Sequence, residues 1–542
     1  MSRFSGTGRS SGGWLLAAML ACSSVPTHAH DIGASAARLG KVEFKVECNA
    51  EAQKGFDFAM ALYHSFAWQS MRDALDKVAK ADPACGMVHW ARAMTLLDNP
   101  FVWPANLPAQ RLSEIAAAIG AVKPADLKSQ RERDYVAAIA DFVRDHDKID
   151  HRTRLQAFDA AMSKLADRHP EDKEASILSA LITSANFNPA DKTYANQLKA
   201  ASRLEPLFKA IPQHPGIAHY LIHSYDYPPI AQKGLDAAKR YAAIAPDAPH
   251  ALHMPSHIFT RVGYWKESIS ANRASAKAAS NAVFDGHHAH DYMVYAHLQL
   301  AQDRAARRSI AQSRAKPAVD HFAAAYAYAA MPARYSLERG DWKAAAALAL
   351  DPPAASYAWA KYPQAEAVNA FARGVGAGRN GDAAAVKAEQ ARLVALRDKA
   401  KEMKLGYWAD QIDIQAATVA GLAQCAAKAQ QACIDELRAA AQREDATEKH
   451  VVTPGPIVPV RELLAEMLLE QGKAAEALAE YKAALRKEPH RYRAVLGAMR
   501  AARQSGDRAA ARAMAAELRK QASGSDTDRP SLREARAFAA LR

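Results

Sequence analysis

Residues 460–489 read VRELLAEMLLEQGKAAEALAEYKAALRKEP. Two runs with apolar residues at helical spacing meet at Gly472, and the second carries Ala477, Tyr481, Ala484 and a closing Pro489. The spacing gives each run one apolar stripe, as two packed helices require. Glycine suits the tight turn between them, and proline cannot continue the second helix. A further hairpin follows with its turn at Gly506, and less regular ones have their turns near Gly263, Gly340 and Gly381.

Working toward the N-terminus, Pro83 closes a unit that starts at Ala52; Ala59 and Met71 occupy its helix-crossing positions, Met71 being larger than the small residue expected there. CGMVHWARAMTLLDNP is another first helix, stopped by Pro100, and FVWPANLP at 101–108 is a loop. Residues 111–168 keep helical spacing, a helix follows HPEDKEA, NFNPADKT at 186–193 is a longer loop, and Leu198 to Phe208 forms a further helix. SGSDTDRP at 523–530 reads as a loose linker to a last short helix.

These features resemble the tetratricopeptide repeat, whose period is 34 residues. The resemblance covers most of residues 52–520, most closely at both ends. It extends to exported bacterial repeat proteins that carry HMPSHIF-x-R-x-G-x-W, here His253 to Phe259 with Arg261, Gly263 and Trp265. It implies an all-α solenoid of stacked helix–turn–helix repeats, with a concave groove lined by first helices that holds a peptide or protein partner. The expected organisation is a signal peptide at 1–29, an irregular segment at 30–51, N-terminal repeats at 52–210 and histidine-rich repeats at 211–300. Degenerate repeats at 301–450, C-terminal repeats at 451–522 and a tail at 523–542 complete it.

Composition agrees with close helix packing: of 542 residues half are apolar and few are aromatic. The net charge of +13 would fall to +11 on loss of Arg3 and Arg9. The basic residues are dispersed and form no nucleic-acid-binding module. Arg3 and Arg9, the apolar run Trp14 to Ala21 and Thr27-His28-Ala29 form a secretory-signal pattern, too short to remain as a membrane anchor. A lipidated Cys22 is the weaker alternative, so a periplasmic or secreted chain is expected. Four other cysteines then suggest two structural disulfides. Cys48 and Cys85 lie about one repeat apart, and Cys425 and Cys433 flank a helix–helix turn.

The central repeats carry a histidine ladder. His219 and His223 are four apart, as are His253 and His257, and the second pair lies 34 residues after the first. Residues four apart share a helix face. Repeats at 215–248 and 249–282 place these four, with His250 and Arg261, on the groove side. The next step of 34 lands on His287 and Asp291; a turn near Gln302 slips that repeat by about one helical turn and leaves them facing the groove. His288 and His290 fall elsewhere on a regular helix.

Such imidazoles suit Zn, Cu, Fe or Ni. Ligands would come from His219, His223, His250, His253, His257, His287 and Asp291, while Asp226, Arg261, His290, Glu444 and His450 are candidate ligand contacts. Against this stands a packing reading, in which the histidines donate to backbone carbonyls and Pro255 starts its helix, leaving His253 in the preceding turn. His64 and His89 are interior or groove residues. Glu444, Glu448 and His450 precede TPGPIVP, an inter-repeat connector that could also fold over the groove. If cleavage follows Ala29, the His30 amine and imidazole could chelate copper. Ser256 beside His253 and His257 is a weak triad signal, and HExxH, Walker, GxSxG and dinucleotide motifs are missing. The leading expectation is a scaffold that binds a protein or peptide. The alternative is a metalloprotein or metal-dependent enzyme.

Overall fold

Turn glycines show how the chain is folded back on itself. Gly263, Gly340, Gly381, Gly472 and Gly506 all have φ between 66° and 84°, in the left-handed region between one helix and the next. Where the repeat is degenerate, a non-glycine takes the same strained position, as Phe66, Ala301 and Lys428 do. The computed structural model describes residues 37–102, 107–279 and 283–540. The secretory-signal pattern, Cys22 and His30 lie outside them. Among the described residues there is no strand: helices follow one another from Ala50–His64 to Pro530–Ala540. No described helix is long and apolar enough to cross a membrane.

The architecture is an α-solenoid of stacked helical hairpins. Asn49, Ser129, Asp150 and Asp172 each cap the helix that follows by accepting a backbone N–H. Alanine lets neighbouring helices approach closely, with buried Ala324, Ala365, Ala477 and Ala498 joining one core that runs through the C-terminal half. A second core unites residues from Leu39 to Phe259. Leu39, Val42, Phe44 and Val46 enter it from an extended segment whose backbone N–H groups donate to the Gln213 carbonyl and to the Asp57 and Gln53 side chains. The disulfides join Cys48 to Cys85 and Cys425 to Cys433.

Segment 523–530 is fastened rather than loose. Asp526 accepts the backbone N–H groups of Arg304 and Ala305 at the start of helix Asp303–Arg314, and Arg529 pairs with Asp303. An exposed helix start supplies the unpaired donors that a carboxylate satisfies. The connector after Glu444 also reaches far across the fold. Lys449 binds Asp226, Glu448 meets Lys192 and Tyr194, and Arg334 donates to the carbonyls of Gly455 and Pro456. It therefore ties the two halves of the solenoid together over the histidine-bearing helices.

Candidate functional site

Helices Pro215–Tyr225, Pro249–His253, Pro255–Arg261 and Val283–Gln299 bring six imidazoles together. Pro255 does interrupt the second repeat's first helix, yet His253 and His257 still face each other, Nε2 to Nε2, at 3.1 Å. His219 and His250 meet in the same way at 3.1 Å. His219, His223 and His250 form one triad and His253, His257 and His288 another, with ligating atoms in each within 4.8 Å of one another. The triads adjoin, the His223 and His257 ring centroids being 5.8 Å apart. Only His250 and His288 are more than marginally exposed.

The far side of each pair is fixed by hydrogen bonds. His219 Nδ1 donates to the His64 carbonyl (2.7 Å), and His257 Nδ1 donates to Asp226 (2.9 Å). His253 Nδ1 donates to Asn272 Oδ1 (2.7 Å), an amide whose orientation is set by its own bond to the Ser268 carbonyl. Phe101 stacks on His223 at 3.7 Å. Burial pushes His253, His223 and His257 below the ordinary imidazole range; neighbouring histidines add to the effect at His253 and His223, and at His257 Asp226 opposes it while Lys449 and Arg261 add to it. These rings are neutral donors to any cation at physiological pH.

Asp226 is the electrostatic hub. Its carboxylate receives His257 and Arg261 (2.8 Å) from helix Pro255–Arg261 and Lys449 (2.8 Å) from the connector after Glu444. Burial alone would raise its pKa; Lys449 and Arg261 overcome that and hold it well below the carboxylate range. The Lys449 ammonium is in turn brought down to about 8 by burial.

The third rung of the ladder differs from the sequence expectation. His288 and Tyr292 face the cluster, 35 residues after His253 and His257. One extra residue turns a helix by about 100°, which carries His287 and Asp291 away. His287 contacts Ser313 and the Pro317 carbonyl, His290 contacts Ser309, and Asp291 pairs with Arg334. Glu444 accepts the Val460 N–H, and His450 is packed among Trp408, Tyr407 and Phe322. Neither joins the six histidines.

Behind the first triad lies a network that sequence spacing gave no means of finding. His64 and His214 both bind Glu174, at 3.0 and 2.7 Å, and His64 Nδ1 meets the Tyr220 hydroxyl at 2.7 Å. A Cβ at Gly216 would lie 2.4 Å from His64 Nδ1, so glycine is what admits this ring.

A second feature lies in the C-terminal half: a cleft of about 990 Å³ bounded by Asp303–Arg314, Phe322–Leu337, Val460–Glu470 and Tyr492–Gln504. Eight arginines and five carboxylates line it. Arg493 and Arg529 are tied to Glu466 and Asp303. Arg304, Arg307 and Arg308 stand exposed at its edge, and among the described residues their guanidinium groups form no ion pair.

Residues 468–530, which contribute much of the cleft wall, match the sequence model of the tetratricopeptide repeat. Residues 468–530 are therefore of tetratricopeptide-repeat type, and the described residues as a whole fold as a solenoid of helical hairpins. Similar solved structures include a chain of the APC/C hetero-tetramer Cut9–Hcn1, at 9% identity and TM-score 0.30 with 90% of each chain covered. A chain of the Naa15/Naa10 assembly bound to HypK-THB has 12% identity and TM-score 0.23, covering 90% of this chain and 79% of that one. No curated protein matches the sequence significantly.

Proposed function

We propose that this protein is an exported scaffold whose C-terminal repeats hold an acidic segment of a protein partner. Tetratricopeptide solenoids are built to present such surfaces, because every hairpin adds side chains to one continuous wall. The observation that carries the reading is the set of unpaired arginines, Arg304, Arg307 and Arg308, beside the cleft of about 990 Å³. Guanidinium groups form bidentate, charge-assisted bonds with carboxylates. Tyr335, Trp342 and Tyr481 in the same cleft offer apolar area beside the charge. The basic start and apolar run of the N-terminus support export, and two disulfides suit an oxidising compartment.

The test is fluorescence anisotropy with a labelled glutamate-rich peptide, at low and physiological salt. Binding that weakens by about tenfold or more in Arg307→Glu/Arg308→Glu, with unchanged melting, is expected for two lost charge-assisted contacts. Absence of binding at low salt, or equal binding by the variant, rejects the cleft as the partner site. N-terminal sequencing of the exported chain tests the location, with His30 expected as its first residue.

A further inference from the structure

The six histidines carry an inference that does not rest on the scaffold reading. Between His253 and His257 the Nδ1–H of each ring is committed, to Asn272 Oδ1 and to the Asp226 carboxylate. A neutral imidazole carries one ring proton, so each Nε2 presents a lone pair. Those lone pairs face each other at 3.1 Å in a buried site. The Tyr292 hydroxyl lies 3.5 Å from His257 Nε2 and 3.2 Å from the Thr453 carbonyl, and its one proton goes to the shorter contact. Two facing acceptors without a cation between them repel.

The spacing is that of ligands around one ion. With Zn–N bonds of about 2.0–2.1 Å, nitrogens at the corners of a tetrahedron lie roughly 3.3 Å apart. The His219–His250 contact, also 3.1 Å between Nε2 atoms, repeats the arrangement, and His219 is oriented by the His64 carbonyl. In the same triad His223 Nε2 is buried and has no hydrogen-bond partner. Hydrogen bonds to a carboxylate, an amide and a carbonyl on the far nitrogen are what orient metal-binding histidines and strengthen them as donors.

We propose that the two triads are a pair of transition-metal centres, one at His219, His223 and His250 and the other at His253, His257 and His288. Three imidazoles leave a fourth tetrahedral position for water or a small ligand. His250 and His288, the more exposed members, give each centre its route to solvent. An all-imidazole donor set favours Zn, Cu, Ni or Fe over Mg or Ca, which prefer oxygen. The third group, His64, Glu174 and His214, is knit together by its own hydrogen bonds and serves to position the His64 carbonyl behind His219.

The experiment uses untagged full-length protein, stripped with a chelator and dialysed against excess Zn²⁺, with bound metal counted by mass spectrometry. Two equivalents are expected in the wild type, one in His250→Ala, one in His288→Ala and none in the double variant. Both substitutions fall on the more exposed rings, and melting curves of the metal-free proteins verify folding. X-ray absorption of the loaded wild type gives an independent reading, with imidazole scattering expected at both sites. No bound metal, two equivalents surviving in the double variant, a wild type that binds one equivalent which either single variant abolishes, or oxygen-only coordination would each overturn the pair.

Discussion

The repeats at 215–299 and those at 460–521 use the same helical hairpin and put different chemistry between its helices. In the C-terminal pair, Ala477, Leu478, Tyr481, Ala484 and Ala498 are buried against one another. In the central pair the corresponding space holds His219, His223, Asp226, His253, His257 and Arg261, all at most 6% exposed. A polar core is stable only when its groups satisfy one another, since each unpaired buried group costs about 1–3 kcal/mol. The difference teaches that the solenoid tolerates a buried polar centre when connectors from distant repeats complete it, as Lys449 completes Asp226.

Removing the hub should separate the two regions most sharply. Asp226→Asn keeps an acceptor for His257 and strips the charge that balances Arg261 and Lys449. Breaking a buried pair from one side costs about 3–5 kcal/mol. Urea unfolding of the metal-free protein is expected to show the central repeats melting first, with the C-terminal repeats persisting. A loss below about 1 kcal/mol would mean that solvent reaches these charges and that the contrast with the C-terminal core is shallow.

A pair of glycine substitutions compares the regions directly. A Cβ at Gly497 would fall 2.1 Å from Tyr481 Cζ, and one at Gly216 would fall 2.4 Å from His64 Nδ1. Overpacking a core in this way costs about 1–3 kcal/mol. Gly497→Ala displaces a ring from apolar neighbours. Gly216→Ala also pulls His64 from Tyr220 and Glu174, so its loss is expected to be the larger and to reduce zinc uptake at the first triad. Equal losses, with uptake intact, would show that the His64 network is passive filling.

The legible part of this molecule was what recurs locally. Gly472, Tyr481 and Pro489 gave the hairpin, and Gly263, Gly340 and Gly381 marked turns in repeats with little other likeness to it. Four histidines at 34-residue spacing marked the central face. What escaped depends on contacts between residues far apart in sequence, or on one residue of register. His288 replaced His287 because a single extra residue rotates a helix by about 100°. Lys449 and Glu174 lie 223 and 40 residues from the partners they serve, Asp226 and His214. The arginine cleft gathers residues from 303 to 531, none of which stands out in its own segment.

The smallest expected effect lies at the joint between the regions. Glu444 accepts the N–H of Val460, the first residue of the C-terminal repeats, and burial raises its pKa to about 7. A carboxyl that binds its proton more tightly when folded favours the folded state at low pH. That contribution is complete below the unfolded value near 4.5, declines as pH rises, and is gone above about 7. Glu444→Gln keeps an acceptor for Val460 and cannot ionise, so it should match the wild type at pH 4 and exceed it at pH 8. The full shift corresponds to roughly 3 kcal/mol, and solvent at this half-buried group reduces it to about 1 kcal/mol. Melting at the two pH values decides the point: a gain confined to pH 8 places an ionisation cost at the joint, whereas equal curves at both show that solvent or Lys487 already neutralises it.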